Sequence, residues 1–117
     1  MINEKRKTKR IEYCSDILCS KMIFEGEVNI FDPPIEMNIK NIAPEGLCIS
    51  SLESFAEGAV LTFDIILEDI LYQGIKAAII WRTNTNGTYC YGLHVQNITG
   101  RFGIHILEIG RKVFKRI

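Results

Sequence analysis

The sequence predicts an all-β fold with one C-terminal helix, arranged as a six-stranded antiparallel β-barrel. Three observations predict it. About six segments rich in β-branched and aromatic residues are separated by turn-forming residues. The last seventeen residues change to the apolar spacing of an amphipathic helix. The 117 residues suffice for one domain but not two, and closing the sheet removes the exposed edges that an open sheet would leave.

The first two strands are separated by a break and a loop. Residues 11–24 contain no Gly or Pro and are dominated by Ile, Leu, Tyr, Met and Phe, which favours a long strand. Residues 25–27 end it. We expect Pro33 and Pro34 to close a loop, because proline has no N–H to donate to a strand ladder. Residues 35–41 then alternate apolar and polar side chains, which predicts the second strand.

The middle of the chain predicts two further strands. Residues 41–46 form a turn, in which Gly46 is free to take a positive φ. A short strand follows at residues 47–50. Residues 51–58 form a connection, which has room for a short helical turn, and residues 60–67 form the fourth strand.

The last two strands are predicted to form a hairpin. Residues 68–69, Glu-Asp, turn the chain, and residues 70–81 form a strand that we expect to bulge near Gly74. Residues 86–87 are Asn-Gly, the strongest short hairpin signal in the sequence. They lead to a strand at residues 89–95, which should therefore pair antiparallel with the strand before it.

The C-terminal segment, residues 101–117, has apolar residues three or four positions apart, which predicts an amphipathic helix. Its basic residues suit the negative end of the helix dipole. The apolar residues are Phe102, Ile106, Ile109, Val113, Phe114 and Ile117. We therefore expect one domain, residues 1–117, with a flexible basic arm at 1–10, the barrel at 11–97 and the helix at 101–117.

The formal net charge of zero hides a strong asymmetry along the chain. Residues 1–10 carry a formal charge of +4, residues 101–117 also carry +4, and residues 11–100 carry −8. Such segregation indicates either a terminus that binds an anion or termini that lie against the acidic body of the protein.

The sequence offers no clear catalytic or metal site, and we expect no enzymatic activity. His94 lies in an apolar strand and His105 in the helix, so a solvent-facing or hydrogen-bonded structural role is favoured for both over catalysis. The cysteines form no Cys-x-x-Cys pair and are expected to be reduced thiols that bind no metal. They are Cys14, Cys19, Cys48 and Cys90.

Apolar stretches such as residues 77–81 are far shorter than the roughly 20 residues of a membrane-spanning helix. The basic N-terminus is followed by no apolar segment typical of a signal peptide. We therefore expect a cytoplasmic protein without membrane insertion. Core packing is the expected role of three large aromatic residues, Trp81, Phe102 and Phe114.

Two motifs resemble those of a known family. Arg6 and Arg10, four positions apart just before the first strand, match the Arg-x-x-x-Arg motif of PilZ domains. Asn41, Ala43 and Gly46 fall on that family's second motif, Asp/Asn-x-Ser-x-x-Gly. The chain departs from the motif only at Ala43, where the family has serine.

The resemblance extends over nearly the whole chain, through Gly58, the Ala-Ala-Ile-Ile-Trp-Arg segment at 77–82, the Tyr-Gly-Leu segment at 91–93 and the final helix. It implies a six-stranded, PilZ-like split barrel that binds the second messenger cyclic di-GMP. It also implies that the protein is bacterial. It also implies a signalling role, in which ligand binding changes the protein's shape and a protein effector, not identified by the sequence, responds. The implied ligand-binding residues are Arg6, Arg10, Asn41, Ala43 and Gly46.

The chemistry of these residues agrees with that ligand. Guanidinium groups at Arg6 and Arg10 can each offer a planar fork of donors to a phosphate or to the O6 and N7 edge of guanine. Asn41 offers a donor and an acceptor to a base edge, and Gly46 allows close approach of the backbone. Without a hydroxyl at Ala43, one hydrogen bond worth about 0.5–1.5 kcal/mol is lost, which weakens binding roughly threefold to tenfold.

Two other functions are compatible with the sequence. The first is a degenerate PilZ-like domain that binds no nucleotide and works through protein contacts. The second is a small barrel that binds RNA or single-stranded DNA, which is disfavoured because the arm holds no aromatic residue for base stacking. We therefore expect cyclic di-GMP and a protein effector as partners, no nucleic acid, and a monomer or a weak homodimer.

Overall fold

A computed structural model describes residues 11–43, 46–96 and 100–115, which form six strands and one helix. The strands close into a barrel in the order β1-β2-β3-β6-β5-β4, with every neighbouring pair antiparallel. The predicted fold class is confirmed. The elements are β1 (Ile11–Phe24), β2 (Glu27–Ala43), β3 (Gly46–Ser51), β4 (Val60–Leu67), β5 (Ile70–Thr85), β6 (Thr88–Val95) and α1 (Arg101–Lys115).

The barrel interior is filled by alternate side chains of every strand, and each end is closed differently. In β4, for example, Leu61 and Phe63 are completely buried. α1 closes one end with Phe102, Ile106 and Ile109, all buried as its periodicity predicts. We call this the helix end. No helix among the described residues has the length and apolar character needed to cross a membrane.

Two-residue turns with positive φ at both positions set the hairpin registers. Asn86 (φ 52°) and Gly87 (φ 84°) join β5 to β6, as predicted. The turn between β4 and β5 also lies where the sequence predicts it. The expected bulge of β5 is present at Gly74, whose φ of 69° suits glycine and whose N–H donates to an Asp64 carboxylate oxygen at 3.0 Å.

The predicted loop at Pro33 and Pro34 is wrong, because β2 runs through both prolines. The β1–β2 register skips at this point, so that residues 31–34 lie opposite Ser20 alone. A bulge of this kind needs no ladder hydrogen bond from the prolines, which have no N–H to donate. The structure thus accommodates the prolines inside a 17-residue strand.

The end of the barrel opposite α1, which we call the loop end, is closed by the connection between β3 and β4. This connection contains bends and turns and no helical turn. The Tyr91 hydroxyl donates to the Glu53 carbonyl at 2.6 Å and accepts from the Phe55 N–H at 2.8 Å. The Arg82 guanidinium donates to the Phe55 carbonyl at 2.9 Å and to Ser54 Oγ at 3.1 Å. Burial raises the pKa of Tyr91, so its hydroxyl remains protonated and able to donate.

At the helix end, His105 fastens α1 to the β4–β5 hairpin. Its Nε2 lies 2.9 Å from a Glu68 carboxylate oxygen, and its Nδ1 lies 2.7 Å from the Tyr72 hydroxyl. In the Nε2–H tautomer, the ring donates to the carboxylate and accepts from the tyrosine. His105 is buried, so the predicted structural role is confirmed. Burial raises the pKa of Tyr72, an effect that the nearby Arg101 charge opposes.

The hydroxyl of Tyr91 should be a main support of the loop end. In Tyr91→Phe, the Phe55 N–H and the Glu53 carbonyl lose their common partner, so we expect the free energy of unfolding to fall by about 1–3 kcal/mol. Urea unfolding followed by circular dichroism measures it. Tyr89→Phe is the matched control, because the Tyr89 ring stacks on Tyr91 while its hydroxyl has no hydrogen bond within the described residues. Equal losses in the two variants would contradict this role of Tyr91.

Candidate functional site

The structure shows where the predicted basic arm joins the barrel. Arg6 and Arg10 lie outside the described residues. The first described residue, Ile11, lies opposite Ile42 in the β1–β2 ladder. Ile42 is the second position of the Asn-x-Ala-x-x-Gly motif, and Arg10 is bonded directly to Ile11. The arm therefore enters the fold beside the second motif.

The three predicted residues of the second motif lie on the β2–β3 hairpin. Asn41 is half-buried and belongs to β2, rather than to the turn that the sequence predicts. Ala43 is the last residue of β2 and pairs with Gly46, the first residue of β3. The two residues between them, 44–45, lie outside the described part of the chain.

Gly46 does not take the positive φ that glycine is free to adopt in a turn, and a close contact explains the glycine there. A Cβ at this position would lie only 2.5 Å from the carbonyl oxygen of Leu93. Gly46 therefore allows β6 to approach β3 closely, at the pair that Gly46 makes with His94. Gly46 thus permits the close approach of a neighbouring strand of the barrel.

One row of residues crosses four neighbouring strands on the outside of the barrel. Directly opposed residues in an antiparallel pair point to the same side of the sheet. Asn41 lies opposite Cys48. Gly92 lies opposite both Cys48 and Trp81. The residues on both sides of Cys48 and Gly92, and the residue after Asn41, are buried in the core: Ile42, Leu47, Ile49, Tyr91 and Leu93. The row itself therefore faces outward.

We call this outer surface of β2, β3, β6 and β5 the motif face. Its central positions are occupied by small residues. Asn41, which is half-buried, and His94, which is exposed, flank them. The motif face consists of Asn41, Gly46, Cys48, Gly92, Trp81 and His94. His94 is exposed, so of the two placements expected for it the structure shows the solvent-facing one.

Trp81 is the residue of the motif face that sequence reasoning missed. The prediction that its side chain packs in the core is wrong. It is only half-buried and its indole covers Gly92, where a Cβ would overlap the indole ring. The sequence contains a signal for this contact. If the hairpin with its two-residue turn at 86–87 continues without a bulge, Trp81 lies opposite Gly92, as the structure shows. A glycine inside a strand indicates close approach of another group. Phe102 is buried as predicted, and the Phe114 side chain lies outside the described residues.

The motif face carries side chains that are suited to binding. The indole of Trp81 can stack with a planar ring, and the Asn41 amide can hydrogen-bond a base edge. In the described part of the chain, no three His, Cys, Asp or Glu side chains cluster as metal ligands. No disulfide joins the described cysteines, and Cys19 is buried as a small apolar residue would be.

Comparison with known proteins agrees with the fold. The family model described as "PilZ domain" matches residues 4–111, which include both arginines of the arm and the second motif. The structure of the Bacillus subtilis inhibitor of motility (MotI/DgrA) is similar, with a TM-score of 0.70 and 20% sequence identity. The similarity covers 98% of this chain and 55% of that chain, so this chain spans about half of its length. No curated protein matches the sequence.

The contact between Gly92 and Trp81 can be tested through fluorescence, because Trp81 is the single tryptophan of the chain. In Gly92→Ala, the new methyl group must displace the indole. We expect a red-shifted emission, stronger quenching by acrylamide and a loss of stability of about 1–3 kcal/mol.

Gly46→Ala is the control for that experiment. Its methyl group would crowd the Leu93 carbonyl and not the indole. It should therefore lower stability without changing the emission maximum of Trp81. An unchanged emission spectrum in folded Gly92→Ala would show that the indole does not lie on Gly92.

Proposed function

The chain belongs to the PilZ domain family, and from that premise we propose that it is a cyclic di-GMP receptor that changes shape on binding and signals to a protein partner. PilZ domains are regulatory binding modules, and the family is one of cyclic di-GMP receptors. The observation that carries the proposal is the Ile11–Ile42 pair, because it joins the arm to the barrel beside the second motif.

The proposed anion-binding groups are the guanidiniums of Arg6 and Arg10. Arg10 is one residue from Ile11, and Arg6 is five residues away, at most about 18 Å along an extended chain. Both can therefore reach ligand on the neighbouring motif face. The barrel that carries the arm is acidic, with a formal charge of −8 over residues 11–100. A ligand with two phosphates adds partners for the arginines and so favours an ordered arm.

The proposed base-binding groups lie along the motif face. Asn41 and Trp81 are three strand spacings apart, or about 14 Å. Because the indole covers Gly92, only the Cys48 position of the row lies open between the indole and Asn41. We assign Asn41 to a guanine edge and the outer face of the Trp81 indole to stacking with a guanine ring. Gly46 keeps β3 and β6 close under the ligand.

The proposed output is a change in the position of the arm that a protein partner detects. Ligand binding can shift this position only if the ligand contacts the arm and the barrel together, and the two arginines and Asn41 provide those contacts. The receptor proposal implies a cytoplasmic bacterial protein.

Ala43 is the observation that favours the alternative, a PilZ-like domain that acts through protein contacts alone. The missing hydroxyl removes one hydrogen bond to the ligand, while the other proposed contacts remain. Since one neutral hydrogen bond contributes about 0.5–1.5 kcal/mol, we infer weakened binding rather than none.

Isothermal titration with cyclic di-GMP tests the receptor proposal. We expect saturable binding, accompanied by a change in Trp81 emission. In Arg6→Ala and Arg10→Ala, the loss of bidentate contacts should lower the affinity at least about tenfold. Lys9→Ala removes the same charge from the arm and is the matched control, for which we expect a change of no more than about threefold.

A flat titration with folded wild-type protein would eliminate the receptor function and leave the protein-contact alternative. GTP and cyclic di-AMP should bind far more weakly than cyclic di-GMP. If the lysine variant lost as much affinity as the arginine variants, the arm would act only by its net charge.

Restoring the family's serine is a gain-of-function test. In Ala43→Ser, the added hydroxyl should raise the affinity for cyclic di-GMP roughly threefold to tenfold, by one hydrogen bond. Ala56→Ser, in the exposed β3–β4 connection, controls for the effect of an added hydroxyl elsewhere. Unchanged or weakened binding in Ala43→Ser would show that position 43 does not face the ligand.

A further inference from the structure

Apolar side chains are exposed at the helix end, on α1 and the β4–β5 hairpin. Ile104 and Leu107 of α1 are 57% and 47% exposed, and Ile70 of the β4–β5 hairpin is 51% exposed. Ile70 and Ile104 line the same depression, and Leu107 lies about one turn along α1 from Ile104. We call these three residues the helix patch. Exposed apolar side chains grouped in this way mark interaction sites.

The helix patch includes a depression of about 190 Å³ beside α1. Its volume is sufficient for an aliphatic side chain, and Leu107 projects from the next turn of the helix. The surface thus has both a hollow and an apolar projection. The depression is lined by Ile70, Tyr72, Arg101, Ile104, His105 and Glu108.

Opposite charges lie at the two ends of the exposed stripe of α1. Arg101 and Glu108 are both exposed, on either side of Ile104. At 1.5 Å per residue, they lie about 4.5 Å and about 6 Å from Ile104 along the helix axis, in opposite directions. Two such helices packed antiparallel about a two-fold axis at Ile104 would bring each arginine opposite a glutamate of the other copy.

We propose that the helix patch is a two-fold homodimer interface, with α1 packed antiparallel against α1 of a second copy of this chain. A two-fold interface requires a self-complementary surface. The helix patch meets that requirement in its charges, through Arg101 and Glu108, and in its apolar centre, where Ile104 on the two-fold axis packs against Ile104 of the second copy.

The fold holds the proposed interface in place before association. His105 ties α1 to Glu68 and Tyr72 of the β4–β5 hairpin. The helix and the hairpin therefore present the patch as one rigid surface, which reduces the entropy lost on association.

Sedimentation analysis of the full chain without nucleotide tests the proposal. We expect a monomer–dimer equilibrium that depends on protein concentration. Ile104→Glu places a charge at the centre of the interface and should raise the dimer dissociation constant at least about tenfold. Ile80→Glu is the matched control, because Ile80 is 59% exposed on another face, and it should leave the dimer unchanged.

Charge reversal tests the two-fold geometry itself. Arg101→Glu and Glu108→Arg each place like charges opposite one another and should weaken the dimer about tenfold. The double variant Arg101→Glu/Glu108→Arg restores both pairs and should return to within about threefold of wild type. Thermal unfolding of each variant confirms that it remains folded.

A monomer at the highest soluble concentration would overturn the proposal and leave the helix patch to a different partner. A dimer insensitive to Ile104→Glu would also overturn it, since another surface would then be in use. If the single reversals weakened the dimer and the double variant did not recover, the antiparallel arrangement would be wrong. Because these measurements contain no nucleotide, their outcome is independent of the receptor proposal.

Discussion

Closure of the six-stranded sheet on itself is the constraint on which the arrangement of the site depends. Once the strands close in the order β1-β2-β3-β6-β5-β4, alternation along each strand decides which residues face the core and which face outward. Residues far apart in the sequence, such as Asn41 and Trp81, then lie in one row across the outer surface. Two glycines maintain this row, because Gly46 admits the Leu93 carbonyl and Gly92 admits the indole.

The two ends of the barrel use different interactions. At the loop end, Tyr91 and Arg82 hold a connection without regular structure through hydrogen bonds to its backbone. At the helix end, apolar packing of α1 is reinforced by the contacts of His105. The arm joins the barrel at the helix end, at Ile11. The proposed receptor function and the proposed dimer interface thus occupy neighbouring but separate surfaces of one rigid body.

Local patterns were sufficient to predict most of the fold. Residues 86–87 predicted the β5–β6 hairpin, and the apolar spacing after residue 100 predicted the helix. The loop predicted at Pro33 and Pro34 was wrong, because a proline cannot donate a ladder hydrogen bond but can lie in a strand that bulges. The role of Gly46 could not be decided from the sequence. Glycine permits both a positive φ and the close approach of another backbone, and the sequence does not distinguish the two. The contacts of Tyr91 with the β3–β4 connection join residues almost forty positions apart, and no local pattern predicts them.

The candidate site was predictable to a smaller extent. The second motif identified the β2–β3 hairpin as part of the candidate site. The sequence pattern did not identify Trp81, because a large aromatic side chain in a strand usually packs in the core. Only its register with Gly92 shows that it covers the outer surface.

The central claim is that the arm and the motif face bind one ligand together. Amide chemical-shift mapping of ¹⁵N-labelled protein with cyclic di-GMP tests it most directly. The account predicts shifts at the amides of Arg6, Arg10, Gly46 and Gly92 and at the indole N–H of Trp81. Shifts confined to α1 and the β4–β5 hairpin, or none at saturating ligand, would contradict it.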